Sequence, residues 1–240
     1  MAELFYTLIY YPIYNLLIFL ISALPGNSVA LAIVVLTIII KLALLPLAVK
    51  AVRTQQKMKE IAPKIEEIKE KYKDNKQEQA LKLMELYRQE DIKPFRSFLL
   101  ILLQLPVIFG LYFVFYKSSL PSIDFEHLYS FISAPQFINM QLFGIDIKSK
   151  SIILAFLASL AQFAHAKLTA KDIKFTTEKD EQDSFKAELE KSIQTQMLYV
   201  LPAIIGFAAY SLGAGIALYF IVSSLFAVAQ EYWMKYKKIK

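Results

Sequence analysis

The chain has 240 residues, of which 56% are hydrophobic and 20% charged, with a net charge of +6, two histidines and no cysteine. A soluble domain of this length would break up its apolar runs. Several runs here approach the ~20 residues that a helix needs to cross a bilayer, so the composition indicates an all-α polytopic membrane protein. Without cysteine there is no disulfide framework and no thiolate metal site, and His127 and His165 are too far apart in sequence to build a metal cluster alone.

Residues 1–26 are apolar and carry four tyrosines, Tyr6, Tyr10, Tyr11 and Tyr14, around Pro12. Tyrosine favours headgroup depth, so the segment is expected to be an interfacial helix on the outer face, with an extra span as the rival. No basic start or small-residue cleavage pattern marks it as a removable signal. The first span is expected over residues 27–49, mostly the run VALAIVVLTIIIKLALLPLAVK. Its one charge, Lys41, lies twelve residues beyond Val29, about 18 Å along a helix. A cation at such depth costs roughly 2.5–3.5 kcal/mol, and such residues face a bundle interior or a wet cavity.

From residue 50 to 93 the chain turns polar. Ile61, Ile65, Ile68 and Tyr72 recur at helical spacing, Asp74-Asn75 punctuates, and Ala80, Leu83, Met84 and Tyr87 repeat the pattern. This reads as a charged helical hairpin with a narrow apolar seam, either a docking arm or a solvated connection between spans. A second span is expected over 95–116, an extracytoplasmic loop over 117–150, and a short third span over 151–167 with the small, polar stripe Ala155, Ser159, Gln162 and Ala166. A charged loop over 168–196 precedes span four (197–212) and span five (213–234). The turn SLGAG forces these last two into an antiparallel pair, and residues 235–240 are a basic tail.

Charge sets the expected orientation. Thirteen Lys/Arg fall between Lys50 and Arg96, six between Lys167 and Lys191 and four from Lys235 on, against Lys117, Lys148 and Lys150 on the other side. The positive-inside rule then puts hairpin, second loop and C-terminus in the cytoplasm. The expected architecture is a five-span helical bundle with a cytoplasmic hairpin and an N-terminal interfacial helix.

Polar groups recur at mid-depth: Thr37 and Lys41 in span one, Gln104 in span two, Gln162 in span three, and Tyr219, Ser223 and Gln230 along one face of span five. Each alone reads as an interhelical hydrogen bond; together they suggest a shared wet groove. No acidic residue lies within spans one to four, so the partner of Lys41 is expected to be water or a visiting anion. That lowers the case for proton-coupled transport, which uses buried carboxylates. His165 reads as a boundary histidine. No nucleotide loop, dinucleotide turn or zinc signature occurs, so neither a cofactor nor an enzymatic activity is expected.

Three stretches carry a resemblance: TIIIKLALLPLAVKAVRTQQKMKEIAPKIEEIKEKY, IKPFRSFLLILLQLPVIFGLYFV and MLYVLPAIIGFAAYSLGAGIALYFIVSSLFAVAQEYWM. In order and topology they resemble the YidC/Oxa/Alb membrane protein insertases, in the short bacterial form without a large outer domain. The resemblance implies a groove open to cytoplasm and lipid and closed outside, which inserts and folds nascent membrane proteins without nucleotide hydrolysis. Lys41 then stands where the family usually has arginine; lysine keeps the charge but lacks the planar fork for carboxylates. Thr37, Lys41, Gln104, Gln162, Tyr219 and Ser223 become the candidate groove residues. Nascent membrane proteins and the bilayer are the implied partners, with the ribosome and a Sec-type translocon as further candidates and no specific nucleic acid. The implied location is a prokaryotic plasma membrane. The competing readings are a small channel or transporter with Lys41 lining its pore and a purely structural scaffold.

Overall fold

The computed structural model describes residues 2–92, 95–116, 120–171 and 195–236. The expected charged loop at 168–196 and the basic tail at 235–240 fall largely outside these residues. Ala2–Phe5, Tyr6–Tyr10 and Tyr11–Ala23 run on as one helix, α1. Its middle turn is π-helical, and Tyr11 N–H bonds back to Tyr6 O. Proline has no N–H and its ring crowds the carbonyl four residues earlier; the widened turn ahead of Pro12 relieves both. The same arrangement recurs before Pro202, where Gln196–Val200 is π-helical and Leu201–Ser211 continues it as α7.

A short turn at Pro25–Asn27, with Gly26 at φ +68°, leads into α2, Val29–Glu60. This helix passes Pro46 and does not stop at Lys50, where the sequence reading placed the start of the hairpin. The reason is local: AVRTQQKMKE is built largely of good helix formers, with neither glycine nor proline. The helix is interrupted at Ile61, where φ is −94° and ψ 2°, ahead of Pro63. The hairpin proper is α3, Ala62–Lys71, and α4, Lys76–Gln89. Asn75 caps α4: its Oδ1 accepts from Glu78 N–H at 3.1 Å and its Nδ2 donates to Glu78 Oε2 at 3.3 Å, a variant of the capping box.

The hairpin seam is formed by Ile61, Ile65, Leu86 and Ile92, flanked by Met58, Ile68, Leu83 and Tyr87. Ala80 and Met84, expected on that seam, are exposed instead. The face that meets α3 carries Leu83, Leu86 and Tyr87 at i, i+3 and i+4 spacing, which turns Met84 outward. Burial holds the Tyr87 phenol above its ordinary pKa range.

The remaining helices are α5, Phe95–Tyr116, α6, Ile152–Lys171, and α8, Ala214–Tyr236. α7 and α8 are joined through Leu212 and Gly213, the latter at φ +85°, which supplies the expected tight turn. α8 packs against α6 and α2; α6 also packs against α7, and α2 against α5, while α1 lies over α2 and α5. Among the described residues four helical stretches are long and apolar enough to cross a membrane: Glu3–Ala23, Val29–Met58, Ile152–Thr169 and Ala214–Met234. Leu102–Phe115 and Leu198–Ser211 are shorter apolar stretches. The protein is a multi-pass, all-α membrane protein.

The loop between α5 and α6 closes one end of the bundle. Asn15 Nδ2 donates to His127 O at 2.9 Å and its Oδ1 accepts from Tyr129 N–H at 2.7 Å. Tyr14 Oη accepts from Asp124 N–H at 2.8 Å, and the Tyr11 and His127 rings stack at 4.8 Å. Further on, Val29 N–H reaches Asn139 O, and β1 (Gln141–Leu142) pairs antiparallel with β2 (Ile145–Asp146). Gly215 N–H then donates to Ile147 O at 2.9 Å and Ala214 N–H to Ser149 O at 2.8 Å. The loop therefore ties the first residues of α2 and α8 to one layer, a few residues before α6 begins.

A candidate substrate groove

Burial is distributed unevenly along the helices. On α2 the buried residues are Val29, Ala30, Ala32, Ile33, Leu36 and Thr37, and none follows until Ala51. On α6 they end at Ala161, and on α8 at Ser224, with none until Met234. α5 runs the other way, and its described buried residues lie only between Gly110 and Phe115. Counted from the capped end at ~1.5 Å per residue, burial on α2, α6 and α8 stops at about 12–15 Å. Tight packing occupies one half of the bundle, and the helices are less enclosed in the other.

The candidate groove residues sort themselves around that boundary. Thr37 is 1% exposed, and its hydroxyl donates to Ile33 O at 2.6 Å, so it is satisfied within its own helix. Tyr219 is also 1% exposed, about 8 Å from the start of α8. Its buried Oη makes no hydrogen bond of good geometry, although the neighbouring Ser223 hydroxyl interacts with it. Ser223 is buried too. Gln162 Oε1 accepts from Ser224 Oγ at 2.9 Å, linking α6 to α8, and Ser159 Oγ donates to Pro202 O at 2.9 Å, linking α6 to α7. The small, polar stripe on α6 thus serves two neighbours at once.

Lys41 stands one turn past the boundary, half-buried, and its Nζ lies 3.4 Å from Gln104 Oε1 on α5. Both residues are twelve positions from the capped-end limits of their helices, Val29 and Tyr116, so the sequence reading of comparable depth holds in space. His165 on α6, set aside as a boundary residue, is close enough to feel the Lys41 charge. Among the described residues no carboxylate pairs with Lys41. Sequence reasoning also missed Ser224, because i, i+4 spacing from Tyr219 points to Ser223, whereas the adjacent Ser224 is the residue that meets Gln162 on α6.

This arrangement offers a half-buried cation backed by an amide, at the edge of a packed plug, with no nucleophile or phosphate cradle assembled around it among the described residues. Residues 20–240 match the profile of the 60Kd inner membrane protein family. The chain belongs to that family. Among its relatives is a membrane protein insertase YidC of Fusobacterium nucleatum, 31% identical over 212 residues, covering 88% of each chain. Membrane protein insertase MisCA of Bacillus subtilis is 28% identical over 235 residues, 96% of this chain and 78% of the relative. Membrane protein insertase YidC 1 of Listeria monocytogenes is 30% identical over 213 residues, 87% of this chain and 64% of the relative. In this family member the two quoted stretches that lead into and out of the hairpin carry the half-buried pair, Lys41 on α2 and Gln104 on α5.

Proposed function

We propose that the protein is a membrane protein insertase in which Lys41 and Gln104 line the inner, open half of the bundle and receive polar segments of nascent membrane proteins. The observation that carries this reading is the common depth at which burial ends, with a cation just beyond it. An unsatisfied polar group in hydrocarbon costs several kcal/mol. A groove that stays wet halfway across shortens the apolar path that a hydrophilic tail must cross. Burial of the substrate's own apolar span, at ~25 cal/mol per Å², then supplies the driving force without nucleotide. Gln162, Tyr219 and Ser223 lie on the plug side of Lys41 and would limit how far the tail advances; Thr37 holds its turn of α2 together.

We place the hairpin and C-terminus in the cytoplasm on the positive-inside count, with five spans formed by α2, α5, α6, α7 and α8. α1 is placed at the interface, because a polar loop bonded to Tyr14 and Asn15 lies against its middle, where a spanning helix would meet hydrocarbon. The ribosome and a Sec-type translocon remain candidate partners of the hairpin. The names of the relatives give the channel alternative no support.

The test is insertion of a short single-span substrate into liposomes holding the purified protein, with a photocrosslinker at Gln104. A crosslink to the nascent chain and protease-protected product support the reading. A folded protein that gives neither would sink it.

A further inference from the structure

We propose that the uncharged stretch 128–145 anchors this end of the protein in the headgroup layer of the adjacent leaflet, with Phe143 as the inserted tip. Phe143 and Gly144 form the two-residue connection between β1 and β2, at φ +49° and +83°. Those angles belong to a type I′ turn, which favours Asn-Gly because both residues need positive φ. Phenylalanine there is a backbone outlier, and its ring is 99% exposed. The fold gives no packing in return for either cost, so the compensation must come from outside the chain.

Three further observations identify a lipid surface as the occupant. Residues 128–145 contain no Asp, Glu, Lys, Arg or His, although much of the stretch is exposed; soluble domains average about one charged residue in four. Phe131 and Phe137 are exposed as well, and aromatic rings concentrate at membrane interfaces. The stretch is also fixed at the correct level: Asn139 is bonded to the first residue of α2, and Ile147, just past β2, to the start of α8. Beside that layer, Leu31 on α2 and Ile152 and Ile153 on α6 present exposed apolar side chains, so the aromatic tip continues the lipid-facing surface of the bundle. The charged residues of the loop, Lys117, Asp124, Glu126 and His127 on one side and Asp146, Lys148 and Lys150 on the other, lie outside the stretch. The inference rests on the membrane placement of the chain and not on the groove.

Because the chain has no cysteine, single labels can be placed by substitution. Spin labels on F143C, on Q141C with Phe143 retained, on Q141C/F143D, and on E126C would be compared in proteoliposomes by collision with oxygen and with a water-soluble nickel chelate. The labels at 143 and 141 are expected to favour oxygen, the label at 126 the chelate, and F143D should shift the 141 label towards the chelate. Chelate-dominated signals at 143 and 141 would overturn the proposal. So would low access to both reagents, which would mean that the tip is buried in protein, in a second copy or another partner. Insertion activity is a separate readout, so failure of the anchor and failure of the insertase reading are distinguishable.

Discussion

Lys41 Nζ and Gln104 Oε1 meet across α2 and α5 at 3.4 Å, beyond the usual 2.7–3.2 Å range for such a bond. The amide is therefore a weak holder of the ammonium, whereas an arriving carboxylate could form a shorter, charge-assisted bond. A hydrogen bond to a charged group contributes ~1.5–3 kcal/mol. Lys41→Ala is accordingly expected to lower insertion of substrates with acidic tails by ~10-fold, the equivalent of ~1.4 kcal/mol. Lys41→Arg should keep it, and Gln104→Leu should lower it less than Lys41→Ala does, because the charge remains. Protease protection in proteoliposomes gives the ratios. If Lys41→Met inserts as well as the unaltered protein and only unfolds at a higher temperature, the lysine has no part in substrate capture.

Gly215 is fixed by close approach. A Cβ there would lie 2.9 Å from Ile147 Cγ2 and 3.1 Å from Phe115 Cε2. Helix propensity favours Gly215→Ala by ~1 kcal/mol, but overpacking of this kind costs ~1–3 kcal/mol, so the net effect should be destabilising. Adding Phe115→Leu should recover part of the loss. Thermal unfolding in one detergent would show it; an unchanged midpoint for Gly215→Ala would mean that Ile147 and Phe115 do not sit against α8 as described.

Asn15 holds the loop between α5 and α6 with both ends of its amide, and Asn15→Leu removes every one of those bonds. It leaves His127 O and Tyr129 N–H without their partner, at a cost of ~1–3 kcal/mol when such groups stay buried. Hydrogen exchange should accelerate across residues 124–129 and stay unchanged in α3 and α4. Acceleration throughout the chain would instead indicate general unfolding.

How much of this was legible beforehand depended on range. The turn at Gly213, the break at Asp74-Asn75 and the spans as apolar helices follow from local chemistry, and the sequence carries them openly. The seam of the hairpin was half legible: periodicity found Ile61, Ile65, Leu83 and Tyr87, but chose Met84 where Leu86 is buried, because a 3.6-residue repeat leaves adjacent faces ambiguous. The continuation of α2 to Glu60 was hidden by composition, which changes at Lys50 although the helix does not. Depth counting put Gln104 and Gln162 level with Lys41, but the expected partner of Lys41 was water or an anion, not Gln104. It could not find Ser224 opposite Gln162, since rotation about a helix axis is set by packing and not by spacing alone.

The Lys64–Glu90 pair, 2.8 Å apart, holds the Glu90 carboxyl below its ordinary range. A depressed carboxylate pKa contributes stability above the unfolded value, about 4.3, and loses it as pH falls through the folded one. Opening of α3 from α4 should therefore become easier below about pH 4.3, and Lys64→Ala should flatten that dependence. The pair is exposed, so the change should be small. Exchange rates in α4 that fall on acidification after correction for intrinsic chemistry would contradict it.

The confinement of tight packing to one half of the bundle also bears on energy conservation. A device that admits polar chain from one side risks short-circuiting the ion gradient across the membrane it serves. Here the gasket, built from Val29, Ile33, Leu36, Ile216 and Tyr219, lies between Lys41 and the far solution. If the packed half stays shut while the less enclosed half admits a guest, permeability to protons should remain at the bare-bilayer level even during turnover.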